Sequence, residues 1–370
     1  SGAQGTFSYT NETNGPFGGK YSSKAGFADG GISYSTTGPV AGHFEFDGSL
    51  GGNLVQDVTY TVSGGTTAWT GNTEHYTMVG FPNYDSIQAV VDQANSGETI
   101  FVYPGTYDES ILISDSLTLV GIGSTKPIIT GLGSSQNYIV KVDGAENVTL
   151  DNLEVNGGGL GVGDNAFDYG VWISGTNNAE IANSVIKNVW QTNGNGIQVD
   201  DSTNSNIHNN QISLFHKRGI RYVNSDGDFN GNEVMGESVN GVDRVQNLVT
   251  LWTGSSVEVY NNILHNALTL TGSTPLWDSP AVFVSSYFVS YPDNGSSHAD
   301  IHDNEIYNGD SGIIVGSFYA DTDTSSAEVT DNNLHDLNWA INFEKDSVSA
   351  AIHENKFVSV NKAINAETSD

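Results

Sequence analysis

The stretch His216-Lys217-Arg218-Gly219-Ile220-Arg221 holds three of the chain's 12 Lys and Arg residues, and Asp200-Asp201 lies upstream of it. These are the side chains that attack on an acidic polysaccharide requires. β-Elimination needs a cation to neutralise a uronate carboxylate and a Lys, Arg or His to accept the C5 proton. Hydrolysis needs two carboxyl groups whose separation sets the stereochemistry. Asp200, Asp201, Lys217, Arg218 and Arg221 are therefore candidate catalytic residues. The plainer alternative is that Lys217 and Arg221 pair with nearby aspartates on the surface, an arrangement contributing at most ~1 kcal/mol per pair.

A second constellation is Asp226-Gly227-Asp228-Phe229-Asn230-Gly231 followed by Glu237, which matches the spacing of a calcium loop and makes Asp226, Asp228, Asn230 and Glu237 candidate ligands. Calcium is the one cofactor the sequence suggests. Against it, the stretch overlaps a repeated phrase, an apolar strand precedes it where a helix would be expected, and Glu233 stands where such loops carry an apolar residue. His208, His302 and His353 share one repeat position, which raises a metal column, but they do not all lie on adjacent units. The segment from Ala267 to Asp293 carries Leu276, Trp277, Phe283, Tyr287, Phe288 and Tyr291 among Ser and Thr, suited either to stacking on sugars or to packing on the scaffold. Sequons at Asn11, Asn147 and Asn294 carry little weight in a chain this rich in Asn, Ser and Thr.

Bulk composition narrows the partners. A formal charge of −31, from 43 acidic and 12 basic residues, repels phosphate backbones and argues against nucleic acid and anionic membrane. It also disfavours anionic glycans unless calcium bridges them. The absence of cysteine excludes thiol catalysis. No apolar run reaches the ~18 residues of a membrane span, and the N-terminus lacks a secretion signal's basic start and apolar stretch, as expected of a mature, processed chain.

The elements that must position these residues fall into two parts. Residues 1–82 are rich in Gly, Ser and Thr with period-2 runs such as Val55 to Val62, and read as a β-rich segment or small module. From residue 83 the texture changes. Asp85 is placed as the N-cap of a short helix carrying Ile87, Val90, Val91 and Ala94, with Gln88 completing a near capping box and Asn95-Ser96-Gly97 ending it. Strands follow at Thr99 to Tyr107, Ser110 to Ile113 and Leu117 to Val120.

Downstream, one phrase recurs around Asn210, Asn232, Asn262, Asn304, Asn332 and Asn355, at spacings of 22, 30, 42, 28 and 23 residues. A short unit lengthened by insertions is the signature of a solenoid coil with variable loops. The asparagines are expected at sharp corners, in the left-handed conformation, with their amides stacked in a ladder. After each corner comes a strand of the type Gly196-Ile197-Gln198-Val199, whose second and fourth positions are apolar and face the bore. The third positions, Trp172, Gln198, Arg221, Thr250, Phe283, Ile314, Asn342 and Asn365, then point outward on one face.

The opening from Ser86 to Asp92 through Gly97 to Val102, Pro104-Gly105-Thr106-Tyr107 and Leu117 to Gly121 resembles that of right-handed parallel β-helix proteins of the pectin-lyase-like superfamily, in particular the branch similar to the periplasmic copper-site maturation protein NosD. The resemblance covers residues 83–370. It implies an all-β parallel solenoid whose short helix caps the first coil, and a substrate groove along the outward third positions, with Trp172, Gln198, Trp252 and Phe283 as substrate contacts. It does not fix an activity, because the family spans lyases, hydrolases, epimerases and adhesins. Two functions remain open. One is a non-catalytic extracellular or cell-surface solenoid that binds glycans or proteins, or self-assembles through its N-terminal β segment. The other is a lyase or hydrolase of acidic polysaccharide.

Overall fold

The computed structural model describes residues 86–158, 167–191, 194–236, 246–268, 279–286, 295–316, 324–344 and 348–366, together with the backbone of short strands upstream, among them Val55–Val58 and Glu74–Val79. The chain divides into two units, Ser1–Tyr107 with Leu117–Pro127, and Asp108–Ser116 with Ile128–Asp370. No helix among the described residues is long and apolar enough to cross a membrane.

In the first unit the helix is Ile87–Val91, with Ile87 and Val90 buried. Its cap is Ser86, one residue after the expected Asp85, because the serine Oγ reaches the Ala89 N–H at 3.1 Å. Gln88 donates to Asp92 instead of closing a capping box. Gly97 takes φ +83° and turns the chain into the strand Glu98–Val102, which pairs in parallel with Leu117–Gly121 and with residues of Glu74–Val79.

The second unit is a parallel solenoid. Three columns of strands run through it, each paired in register with the equivalent strand one coil on. The first contains Ser205–His208, Asp226–Asn230, Ser256–Tyr260, Ser297–His302 and Ser325–Thr330. The second contains Val185–Val189, Gln211–Phe215, Glu233–Met235 and Ile263–His265. The third contains Tyr138–Asp143, Tyr169–Ser174, Asn195–Asp200, Arg218–Val223, Asn247–Trp252 and Pro280–Ser285. Late in the chain the second and third merge into the 11-residue strands Glu305–Val315 and Asn333–Phe343. The bore is filled as the pattern requires, with Ile173, Ile197, Val199, Ile220, Tyr222, Val249, Leu251, Val282 and Val284 sealed from solvent.

Between the first and second columns stands the amide ladder. Asn210, Asn232, Asn262, Asn304 and Asn332 are at most 2 % exposed. Each Oδ1 accepts both the backbone N–H and the side-chain amide of its counterpart one coil before: for Asn262 the donors are Asn232 N at 2.9 Å and Asn232 Nδ2 at 3.2 Å. Each Nδ2 also donates to a main-chain carbonyl of the preceding coil, that of Phe229 in the case of Asn262. The ladder runs on to Asn355 and, at its other end, to Ser184, whose N–H donates to Asn210 Oδ1.

The left-handed conformation expected at these asparagines belongs to the residue before each: Asn183, Asn209, Gly231, Asn261, Asp303, Asp331 and Glu354 all have φ between 51° and 63°. Turning the corner and bonding along the ladder thus fall to two different residues, since a side chain aimed into the core needs the extended backbone that follows the turn. Asn183 accordingly sits at the turn, and Ser184 holds the ladder position.

Glycine at the head of the third-column strands answers to close packing. A Cβ at Gly219 would lie 2.6 Å from the Leu248 carbonyl oxygen and 2.5 Å from a Val234 methyl.

Five histidines, scattered in sequence, follow one rule in space. A glutamate on one coil meets, on the next, the histidine two residues beyond its register partner: Glu180 with His208 at 2.8 Å, Glu258 with His302 at 2.9 Å, Glu233 with His265 and Glu305 with His335 at 3.4 Å, Glu328 with His353 at 3.5 Å. Rings stack flat in the same columns, Tyr260 on His302 and His265–Tyr307–His335 at centroid separations of 4.9 to 5.2 Å. Burial pulls the His302 imidazolium pKa down, but hydrogen bonds to Asp303 and Glu258 and their charges outweigh it, leaving it above the ordinary 6.5.

Two outcomes follow from this scaffold. Asn262→Ala orphans two buried donors on Asn232 and the Phe229 carbonyl, at roughly 1–3 kcal/mol each, so urea denaturation should show a loss of about 3 kcal/mol or more, with Asn355→Ala at the half-exposed end costing clearly less. The raised pKa of His302 means that its stabilisation is complete below 6.5 and is lost as pH rises through the folded-state value. Melting temperature measured from pH 5.5 to 8.5 should therefore fall more steeply for the native protein than for His302→Gln; parallel curves would remove the linkage.

Candidate functional site

Four consecutive strands of the third column, Tyr169–Ser174, Asn195–Asp200, Arg218–Val223 and Asn247–Trp252, bring together Tyr169, Trp172, Asn195, Gln198, Asp200, Arg218, Arg221, Asn247, Thr250 and Trp252. Register does the placing. Trp172, Gln198, Arg221 and Thr250 are successive partners in one row, and Tyr169, Asn195, Arg218 and Asn247 are successive partners in another.

Asp200 is the carboxylate at the centre. Its Oδ2 accepts the Trp172 indole N–H at 2.8 Å and its Oδ1 accepts from the Gln198 amide. Gln198 Oε1 in turn accepts Arg221 Nε at 2.5 Å and Asn195 Nδ2 at 3.1 Å. The result is a row Trp172–Asp200–Gln198–Arg221 in which each group is held by the next. Burial raises the pKa of Asp200 above the usual carboxylate value, and the Arg221 charge with the Gln198 and Trp172 bonds only partly offsets it. Tyr169 lies on the same face, hydrogen-bonded with Arg221; burial raises its phenol pKa while Arg221 pulls it back.

Arg218 lies deeper, 6 % exposed, with its guanidinium 4.3 Å from the Trp252 ring centroid, and Arg221 approaches the same ring at 5.4 Å. Burial, with the Arg221 charge added, pushes the pKa of Arg218 well below its ordinary value. On the other side Lys141 Nζ sits 4.0 Å over the Trp172 ring and 3.1 Å from Asp143. Two of the chain's three arginines thus converge here, making this a local concentration of positive charge in an acidic protein.

The other expected residues fall elsewhere. Asp201 is a corner residue at φ 48°, exposed and accepting from Asn224 Nδ2. Lys217 precedes its strand, half-buried, with its N–H on the Gly194 carbonyl. The outward third positions do not form the open face that alternation predicts: Gln198 and Thr250 are 0 % exposed, Ile314, Asn342 and Phe283 are buried, and Trp172 and Arg221 stay half-exposed. In a register-stacked row a shorter side chain lies in the shadow of longer neighbours, Gln198 between Trp172 and Arg221, Thr250 between Arg221 and Phe283.

The calcium spacing takes a different shape from the curled loop it suggests. Asp226–Asn230 is an extended strand, so alternate side chains stand ~6.6 Å apart along a line. Asp226 accepts the Asn204 N–H and Asn230 donates to Asn206, while Glu237 lies outside the described residues. Among the described residues no group of three or more His, Cys, Asp or Glu side chains is arranged to hold a metal ion, the histidine column included. Of the 267–293 insertion, residues 269–278 and 287–293 also lie outside the described residues.

Tyr169, Asn195 and Asn247 went unmarked in the sequence. They could have been found, because each directly precedes the first position of the Gly-Ile-x-Val strand, as Arg218 does.

Residues 123–277 match the model of the right-handed β-helix region family. No curated protein matches the sequence. Among solved structures, the alginate lyase from Paenibacillus sp. str. FPU-7 is similar at 15 % identity and TM-score 0.53, over 74 % of this chain and 95 % of that one. Pectate lyase Pel9A is similar at 12 % identity and TM-score 0.47 over 75 % and 74 % of the two chains, and the enzymatically active domain of bacteriophage CBA120 tailspike protein 2 at 12 % and 0.47 over 82 % and 47 %. At these identities the likeness is one of fold and does not single out the NosD-like branch. The second unit has the right-handed parallel β-helix fold, which residues 123–277 share with the right-handed β-helix region family and which the alginate lyase shares as a fold.

Proposed function

We propose that this is an extracellular protein that binds an acidic polysaccharide across Tyr169, Asp200, Arg221 and Trp252 and cleaves it by β-elimination. The observation that carries the reading is the grouping on one face of a carboxylate, a phenol and a guanidinium, in a chain otherwise poor in cations. Asp200 acts as the base that takes the C5 proton of a uronate unit. The electron pair released forms the C4=C5 double bond as the bond from C4 to the glycosidic oxygen breaks. Tyr169 gives its proton to the departing oxygen, and Arg221 stabilises the negative charge that builds on the uronate carboxylate. A base is improved by a raised pKa, and burial supplies that to Asp200. The alginate lyase whose fold is shared is named for the same reaction class, a likeness that supports this reading without fixing the substrate.

A second reading, a non-catalytic surface or adhesive solenoid, draws support from one fact: both Asp200 oxygens are already hydrogen-bonded, and Gln198, which links Asp200 to Arg221, is sealed from solvent. Such a row also serves as a structural tie. Attachment through the N-terminal β segment, part of that reading, lies largely outside the described residues.

The two separate in one assay. Incubation with polygalacturonate and with alginate, each with and without calcium, should release unsaturated uronate ends, detected by ultraviolet absorbance. Arg221→Ala should lower the rate roughly 100-fold or more, and Asp200→Asn, which removes the base, should lower it at least as far. The native rate should rise with pH through the Asp200 pKa, above the ordinary 3.8, because the base works only when ionised. Saturable glycan binding with no unsaturated product would select the adhesive reading.

A further inference from the structure

Asp200 and Arg221 carry opposite charges on adjacent coils, with a neutral side chain between them. Asp200 has Val223 as its register partner and Arg221 has Gln198, so acid and guanidinium lie on a diagonal of roughly 7–8 Å, which long side chains can close. The first column shows that such diagonals do close in this solenoid: Glu258 reaches His302, two residues beyond its register partner Asp300, at 2.9 Å. At Asp200 the side-chain hydrogen bonds come instead from Gln198 and Trp172, and Arg221 acts through its charge.

Gln198 has the chemistry this place demands. It shares a face with Asp200, two residues along the same strand, and is 0 % exposed. Its Nε2 donates to Asp200 Oδ1, while its Oε1 accepts Arg221 Nε at 2.5 Å and Asn195 Nδ2 at 3.1 Å. Only one orientation of the amide satisfies these partners, because the reverse would set its NH2 against the guanidinium and its oxygen against the carboxylate. Glutamate lacks the donor and methionine lacks both groups. Asn195, also 0 % exposed, braces the amide from the side away from Asp200.

We propose that Gln198 is a positioning residue, a spacer that keeps Arg221 from closing on Asp200 so that carboxylate and guanidinium remain two separate groups on the face. This role rests on the reading of Asp200 as the base, while the spacing itself is read without turnover. Direct closure would stabilise the ionised carboxylate and make it a weaker base. The charged and titratable groups that face Asp200 are Arg221 from the following coil, Tyr169 from the preceding one and Asp201 beside it.

The test follows the Trp172 indole N–H, which donates to Asp200 Oδ2 and so reports its ionisation, by NMR of the full chain labelled with 15N, across acid to neutral pH. Trp172→Phe assigns the resonance among the six tryptophans. The native midpoint should lie above 3.8. Gln198→Val, short enough to let Arg221 close, should move it down by about one pH unit or more. Gln198→Met, which keeps the length and loses the amide, should move it up, because the carboxylate loses a donor while Arg221 stays blocked. Adding Arg221→Met to Gln198→Val should erase the downward move, and Gln198→Ala replaces a Gln198→Val that does not fold. Midpoints that rise in both single variants, or a fall that persists in the Arg221→Met background, overturn the spacer. An indole that shows no titration overturns it too, since the row then loses its first bond. In the elimination assay Gln198→Val should be at least roughly 10-fold slower, and a full native rate in a variant that titrates as expected overturns the positioning role. Titrations as expected with no unsaturated product from the native protein leave the spacer standing and remove the catalytic reading.

Discussion

Everything in the second unit depends on a side-chain amide accepting two hydrogen bonds from the coil before it and passing its own donors along the stack. A parallel ladder of main-chain bonds fixes only the spacing of strands. A shift of register by one residue would exchange bore and surface, and the buried asparagines forbid it, because each Oδ1 must meet one particular N–H and one particular amide. With register pinned at the corner, insertions of any length leave the strands aligned, so coils of 22 and 42 residues stack equally well. The site inherits this precision. Its members come from strands tens of residues apart in sequence, yet meet at hydrogen-bonding distance because the corner fixes each strand's phase.

Stacking like on like has a cost in an acidic chain. Asp228, Glu258, Asp300 and Glu328 are register partners on four successive coils, and directly opposed like charges on paired strands are destabilising. Burial and the neighbouring Glu258 together raise the pKa of Asp228. The diagonal histidines offset this repulsion, each placing a ring nitrogen against a carboxylate of the coil before. Their positions make sense as charge management within the scaffold, and among the described residues no three or more such side chains are arranged to hold a metal ion.

The fold was legible because its determinants repeat. The Asn phrase, the apolar second and fourth strand positions and the short helix follow from spacing, and the differences there are small: the cap is Ser86 and not Asp85, and the helix ends at Val91, short of Ala94. Arg221 and Asp200 were legible by residue type. Exposure was not, because Gln198 and Thr250 are covered by the lengths of their row neighbours, a property of the stack that no single strand carries. Nor was the role of Tyr169, which depends on a guanidinium one row over and two coils on. The calcium spacing at Asp226 and Asp228 lies on an extended strand, a shape that spacing alone does not reveal.

A formal charge of −31 argues against an anionic ligand only if the charge acts as a whole. At physiological ionic strength exposed charges are screened beyond ~8 Å, so most carboxylates on the distant first column contribute little at the third. What a ligand meets locally is Arg221, with Arg218 beneath it, on a Trp252 face, and a carboxylate, Asp200, already held by two donors. On the proposed reading the net charge would govern how fast an anionic chain approaches, and the local pair whether it stays. Arg218 is 6 % exposed and its charged form is disfavoured by burial and by Arg221, so a negative charge brought close to it would be felt more strongly there than at the surface.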